Sequence, residues 1–209
     1  MQHFPKPEDP LIWIDELSDR NYVVIDDFLD DQMYRLIKSF FLERVEEFQQ
    51  AGIGALHQNQ IKTNIRGDLT YWLDRQRDTE LVAYWELMQE TIDLLNRYCF
   101  LSLNGFEFHL AHYPAGSFYH RHLDQFSNRS NRIISMIIYL NDNWQAGDGG
   151  ELEIVGDHGE VTLIEPLAKR CVLFKSAEVL HGVLEAHKSR YSLTGWLLRH
   201  PSSVGYLLG

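Results

Sequence analysis

Residues 190 to 199 read RYSLTGWLLR, and the way their side chains alternate decides the fold. Arg190, Ser192, Thr194 and Trp196 fall on one face of an extended chain, and Tyr191, Leu193 and Leu197 fall on the other. A period of two marks a strand, because successive side chains leave a strand on opposite sides. This strand turns a guanidinium and two hydroxyls toward one face while remaining apolar elsewhere. The same period runs through Phe106, Phe108 and Leu110, then IISMIIYL (133–140), ELEIV (151–155), VTLIE (161–165), RCVLF (170–174) and EVLHGVL (178–184). Turn-forming stretches, NDNWQAGDGG (141–150) and GDHGE (156–160), punctuate them. Many short strands at this spacing predict a closed β architecture.

Upstream of residue 100 the period is helical. YVVID (22–26) reads as a strand, and Asp30 or Asp31 is placed to cap a helix carrying Met33, Ile37, Phe40, Phe41, Val45 and Phe48, which Ala51-Gly52 would end. Leu81, Trp85, Met88, Ile92 and Leu95 form the apolar stripe of a second helix over 79–99. Between them, residues 57–74 read as a long loop entering a strand. The expectation is one domain over 1–209: a helical layer (1–100) supporting a jelly-roll barrel of strands at about 101–200.

The chain has 209 residues, enough to bury a core without disulfide staples. Asp and Glu number 30 against 19 Lys and Arg, a net charge of -11. So acidic a surface repels phosphate backbones, which argues against nucleic acid as a partner. No apolar run approaches the roughly 18 residues of a membrane helix, and the first residues lack the regions of a signal peptide, so a soluble cytoplasmic protein is expected. Cys99 and Cys171 sit in apolar contexts and read as small buried hydrophobes.

HRHLDQF (120–126) raises the question of metal binding. His122 and Asp124, two apart in a strand, share one face. His181 in VLHGV is the best third ligand, and two imidazoles with one carboxylate leave coordination positions open, as in non-haem Fe(II) oxygenases. His120 offers a competing pair with His122. Arg190, nine residues after His181, suits a carboxylate, and by parity Tyr139 lies with Ser135, Ile137 and Ile133 where it could join Arg190 on one anion. His109, His112, His158 and His187 read as satisfied or exposed. Zinc suits the same three ligands but gives Arg190 no role.

On these residues the chain resembles the Fe(II)/2-oxoglutarate-dependent dioxygenases, in the prolyl 4-hydroxylase branch, and is similar to the hypoxia-inducible-factor prolyl hydroxylases and their bacterial relatives. The resembling stretches are IRGDLTYWLD (65–74), YPAGSFYHRHLD (113–124), IIYLNDNW (137–144), GGELEI (149–154) and HGVLEAHKSRYSLTGW (181–196). The resemblance implies a double-stranded β-helix, Fe(II) on His122, Asp124 and His181, and O2 and 2-oxoglutarate as cosubstrates with ascorbate as reductant. It implies that Arg190 and Tyr139 hold the distal carboxylate, that Tyr113 and Thr194 line the cosubstrate pocket, and that Trp196 packs near the metal. Tyr119 and Arg132 would lie toward a protein substrate, and Arg66 and Asp68 would brace the loop over the mouth, within a substrate-accepting segment at roughly 51–68. Arg132 is out of parity with Tyr139. The implied substrate is a proline in a flexible protein segment, with elongation factor Tu a candidate. The rivals are the same chemistry on a small molecule and a non-catalytic jelly-roll binding protein.

Overall fold

The computed structural model describes residues 10–51, 66–125, 131–156 and 158–200. Three helices precede most of the strands: α1 (Pro10–Arg20), α2 (Asp31–Glu43) and α3 (Val82–Cys99). The strands are β1 (Tyr22–Ile25), β2 (Gln49–Gln50), β3 (Leu69–Trp72), β4 (Gly105–Tyr113), β5 (Tyr119–His122), β6 (Arg132–Tyr139), β7 (Leu152–Val155), β8 (Val161–Ile164), β9 (Cys171–Lys175), β10 (Leu180–Val183) and β11 (Arg190–Leu198). They form a seven-stranded sheet, β1-β9-β6-β11-β4-β3-β2, and a four-stranded sheet, β5-β10-β7-β8, with every pairing antiparallel.

The period-two reading of β11 assigns its two faces to two cores. Leu193 and Leu197 join Ile134, Met136 and Ile138 of β6 and Leu110 of β4 against the helices, whose contribution includes Phe41, Trp85, Met88 and Ile92. On the other face Ile137, Tyr139, Val172 and Phe174 meet Leu152, Ile154 and Ile164 of the smaller sheet. Arg190, Ser192, Thr194 and Trp196 therefore line the space between the sheets. Gly195 sits on the helix side, where a Cβ would come within 2.3 Å of the Phe108 ring; its bareness lets β11 and β4 carry that aromatic.

The expected strand at 22–26 is β1, and Asp30 caps α2 by accepting from the Met33 N–H at 2.7 Å, an interaction worth about 1 kcal/mol. Two helical expectations change. α2 stops at Glu43, short of the Ala51-Gly52 boundary, and the chain passes through a 3-10 turn (Val45–Glu47) into β2. Glu46 and Glu47 would add negative charge to the negative end of the helix dipole, which opposes continuing it. Phe48 still reaches the core through the turn, 4.8 Å from the Phe41 ring. The expected helix over 79–99 opens with a 3-10 turn (Thr79–Leu81) before α3. α1, with Pro10 at its favoured first position, lies outside the two helices expected from the sequence. Cys171 is buried and Cys99 partly so, both as free thiols. No helix among the described residues is long and apolar enough to cross a membrane.

Candidate active site

β5 and β10 are neighbours in the smaller sheet, and their register sets His122 directly opposite His181. Asp124 follows two residues beyond His122, just past the end of β5. The ligand atoms of His122, Asp124 and His181 all lie within 4.8 Å of one another. His122 Nε2 is 3.4 Å from Asp124 Oδ1, and His181 Nε2 is 3.6 Å from Asp124 Oδ2. Each imidazole is fixed from behind. His122 Nδ1 lies 2.8 Å from the His120 carbonyl and His181 Nδ1 lies 3.0 Å from the Val179 carbonyl. A ring whose Nδ1–H is held by a carbonyl presents the Nε2 lone pair, as a metal ligand must. The competing pair is excluded by the same geometry: the exposed His120 contributes its backbone oxygen and is absent from the cluster.

Ser135 and Ser176 support the carboxylate. Ser135 Oγ donates to Asp124 Oδ2 at 2.6 Å and lies 2.8 Å from Ser176 Oγ. Burial alone would raise the Asp124 carboxyl, but the facing His181 and His122 rings and the Ser135 hydroxyl hold it well below the usual carboxylate range. Burial pushes His181 down to about 4, so its ring is neutral at neutral pH. Two imidazoles turned by their Nδ1 contacts and one carboxylate are the donor set Fe(II) accepts with positions left open.

Arg190 is 1% exposed and occupies the deep end of the barrel. Its Nε donates to the Gly150 carbonyl at 2.8 Å. Among the described residues no carboxylate pairs with it. Its guanidinium carbon lies 4.9 Å from the centre of the Tyr113 ring and 5.0 Å from that of Tyr139. Among the described residues the buried Tyr139 hydroxyl has no partner at full hydrogen-bond geometry, with the Arg190 guanidinium beside it; burial pushes it up to about 12 against the lowering effect of that cation. Gly150, at φ +71, makes room for the arginine, since a Cβ there would meet its Cδ at 2.9 Å. A buried guanidinium lacking a counter-charge is costly unless a bound anion supplies one. The Arg190–Tyr139 cradle fits a carboxylate. Thr194 lies one step nearer the mouth, its hydroxyl 3.1 Å from that of Ser192.

The mouth is built differently. Arg66 grips Asp68 through Nε at 2.7 Å and Nη2 at 2.5 Å, and Asp68 is fully buried. The Arg66 guanidinium lies 4.4 Å over the Tyr119 ring, which in turn stacks on His122 at 3.8 Å. Arg132 pairs with Glu107 at 2.6 Å and covers Trp196 at 3.3 Å. Its parity is resolved by a bulge. Leu197 pairs with Ile134 but Leu198 pairs with Arg132, so the strand skips Ile133 and Arg132 turns inward. Ile133, placed by parity beside Tyr139, instead packs on the helix-side core. Residues 52–65 of the expected substrate-accepting segment lie outside the described residues.

Ser135, Ser176 and Gly150 are functional neighbours that the sequence reading missed. The histidines divide. His112 Nε2 lies 3.2 Å from Ser189 Oγ and His187 Nδ1 lies 2.8 Å from the Gly147 carbonyl. His158 is exposed. His109 is neither exposed nor satisfied by the described residues: it is 4% exposed and its Nδ1 has no partner among them. Alternation in FEFHLAHY would have placed it on the face of Tyr113.

Comparison with known proteins agrees with this architecture. Residues 108–198 match the family model of the 2OG-Fe(II) oxygenase superfamily. Mouse prolyl hydroxylase EGLN3 is 30% identical over 188 residues, 81% of this chain and 76% of that protein. A Pseudomonas putida prolyl-4-hydroxylase structure superposes with a TM-score of 0.82 at 34% identity, over 91% of this chain and 98% of that one. A Trichoplax adhaerens prolyl hydroxylase, solved with a hypoxia-inducible-factor oxygen degradation domain peptide fragment, gives a TM-score of 0.80 at 26% identity, over 90% and 88% of the two chains. By fold, site and sequence the chain belongs to the 2OG-Fe(II) oxygenase superfamily, in the prolyl hydroxylase branch with the EGLN proteins and the bacterial prolyl-4-hydroxylases.

Proposed function

We propose that the protein hydroxylates a prolyl residue of a protein substrate, using Fe(II), O2 and 2-oxoglutarate, with ascorbate as reductant. The observation that carries this reading is the buried Arg190, unpaired by any carboxylate among the described residues and flanked by the orphan Tyr139 hydroxyl, in the same barrel as the His122–Asp124–His181 cluster. A metal-binding protein with no cosubstrate would have no use for that cation. The likeness to prolyl hydroxylases, one of them solved with a hypoxia-inducible-factor peptide fragment, favours a prolyl target.

His122, Asp124 and His181 would hold the iron, and Arg190 with Tyr139 would hold the distal carboxylate of 2-oxoglutarate. When bound, these groups supply oxidising power, with decarboxylation of the cosubstrate to succinate and transfer of one oxygen atom to a C–H bond. The chain supplies geometry and charge. The Nδ1 contacts to the His120 and Val179 carbonyls keep both imidazoles in one tautomer. Ser135 aims the Asp124 carboxylate through its 2.6 Å hydrogen bond. Arg190 would fix one end of the cosubstrate through charge-assisted hydrogen bonds, with Tyr139 placed to donate to the same carboxylate. Tyr113 walls this end. Thr194 and Trp196 follow along the same strand face toward the mouth, where Tyr119, Arg132 and the Arg66–Asp68 pair would meet the polypeptide.

Fe(II)-reconstituted protein incubated with 2-oxoglutarate, ascorbate and oxygen is expected to add one oxygen to a proline, read by peptide mass spectrometry. Elongation factor Tu is the first partner to present, followed by a library of proline-containing peptides. His181→Ala should abolish turnover, a loss of at least a thousandfold, and full activity in that variant would remove the assignment. Succinate formation with no proline modified would retain the oxygenase and discard the prolyl target.

A further inference from the structure

Two ring nitrogens on the barrel's inner face have no hydrogen-bond partner among the described residues: Nδ1 of His109 and Nε1 of Trp196. Both side chains are more than nine-tenths buried. They stand on adjacent strands one step apart, His109 opposite Thr194 and Trp196 opposite Glu107. Their rings stack at 5.6 Å and 30°. Trp72 on β3 completes the row, 4.8 Å from His109 and 6.2 Å from Trp196. Trp72 is 48% exposed, so the aromatic row runs from solvent to the interior.

The charges around His109 place it at the mouth. The main ones are Arg66, Asp68, Arg132 and Asp124: three groups of the mouth and one metal ligand. Burial holds the imidazole down to about 3, so the ring is uncharged and offers one N–H and one lone pair. Leaving a buried polar group unpaired costs about 1–3 kcal/mol, which a bound molecule would recover. The charges at this end do not favour an anion: among the described residues Arg66 is paired with Asp68 and Arg132 with Glu107. An aromatic row with two orphan nitrogens suits an apolar ring attached to uncharged acceptors. A prolyl residue has that chemistry, because it brings a pyrrolidine and a carbonyl but no N–H.

We propose that His109 is a substrate-binding residue, donating with Trp196 to the main-chain carbonyls flanking the target proline while the Trp72–His109–Trp196 row packs on its ring. The inference deepens the prolyl reading above and rests on it. Neither nitrogen takes part in a hydrogen bond among the described residues, and His109 is not one of the three clustered metal-binding side chains.

The test has two arms. In the first, the Fe(II)-loaded wild-type protein selects from a library of proline-containing peptides, with mass spectrometry identifying any that gains oxygen on proline in a 2-oxoglutarate-dependent way. Finding none overturns the prolyl reading and this inference with it. In the second, the selected peptide is titrated into Mn(II)-loaded protein with 2-oxoglutarate and without oxygen, following tryptophan fluorescence. His109→Leu and His109→Phe, the latter keeping a ring without nitrogens, should each weaken the peptide about tenfold, the worth of one lost hydrogen bond in a dry site. His109→Gln should restore affinity to within about threefold of wild type. Affinity for 2-oxoglutarate, titrated separately, should be unchanged in all three. Unchanged peptide affinity in both the Leu and Phe variants overturns the inference and leaves the prolyl reading standing. An equal loss of peptide and 2-oxoglutarate affinity does the same, since it marks a general distortion of the barrel. Having two apolar variants keeps the test intact if one of them misfolds.

Discussion

The two ends of the barrel interior both contain buried arginines, and they treat them in opposite ways. At the mouth, Arg66 is clamped by Asp68 and Arg132 by Glu107. At the deep end, Arg190 donates to one backbone carbonyl and faces two tyrosine rings. An arginine whose charge is met inside the protein is part of the framework. One left unmet is waiting for a ligand with the complementary charge. On the proposed reading, the difference separates a site for a small dianion from a surface that receives an uncharged chain segment. It also explains why the deep end needs Gly150: the guanidinium must approach the backbone closely enough to be held without being neutralised.

The comparison breaks most visibly if the arginines are removed one at a time. Arg66→Leu leaves the Asp68 carboxylate buried and unpaired, and breaking such a pair costs about 3–5 kcal/mol. Thermal unfolding of the metal-free protein should fall by roughly 10 °C, at about 2–4 °C per kcal/mol for a chain of this size. Removing both partners, Arg66→Leu with Asp68→Leu, should recover most of that loss. If Arg66→Leu leaves the melting temperature unchanged, the mouth pair is not part of the framework.

Arg190→Leu should do the reverse. Without cosubstrate the desolvation cost of the guanidinium is met only by one backbone hydrogen bond and two ring contacts, so the melting temperature of the metal-free variant should hold or rise. Affinity for 2-oxoglutarate should fall by about tenfold to a hundredfold, the range for losing a hydrogen-bonded charge at about 1.5–3 kcal/mol. The wild-type protein should also gain thermal stability when 2-oxoglutarate and Mn(II) are added together, and the variant should lose most of that gain. A destabilised variant with normal 2-oxoglutarate affinity would mean that Arg190 and Arg66 play the same part.

What could be read from the sequence follows the range of the forces involved. The face shared by Arg190, Ser192, Thr194 and Trp196 is local, since alternation along one strand sets it, and so it was legible. His122 and Asp124 were legible for the same reason, and His181 because its strand carries few other polar side chains. The bulge that turns Arg132 inward is a property of two paired strands, and nothing within RIISMIIY announces it. Ser135 and Ser176 meet across β6 and β9, forty-one residues apart, with no local pattern to connect them. The end of α2 at Glu43 was missed because the apolar spacing continues to Phe48. There the acidic pair at Glu46 and Glu47 outweighs it, and Phe48 reaches the core by another path.

The smallest expected effect concerns protons, and it again divides the two ends. The deep end holds Arg190 and a Tyr139 pushed up to about 12, so the tyrosine does not titrate between pH 4 and 8. The metal end holds His181, depressed to about 4, and His109, depressed to about 3, in both cases chiefly by burial. For each, the unfolded chain takes up a proton near pH 6.5 while the folded protein does not. Between pH 6.5 and about 4 the unfolded state therefore binds more protons, and stability falls as the pH drops. Above pH 6.5 both states are neutral and this contribution vanishes. One unit below 6.5, each histidine should lower the stability of the metal-free protein by roughly 1 kcal/mol. Urea unfolding of metal-free wild type and His109→Leu at pH 7.5 and 5.5 checks this. The variant should lose less stability between the two pH values, because one of the two contributions is gone. Equal slopes would place the His109 ring in water, and with that the aromatic row would lose its claim to be a dry wall at the mouth.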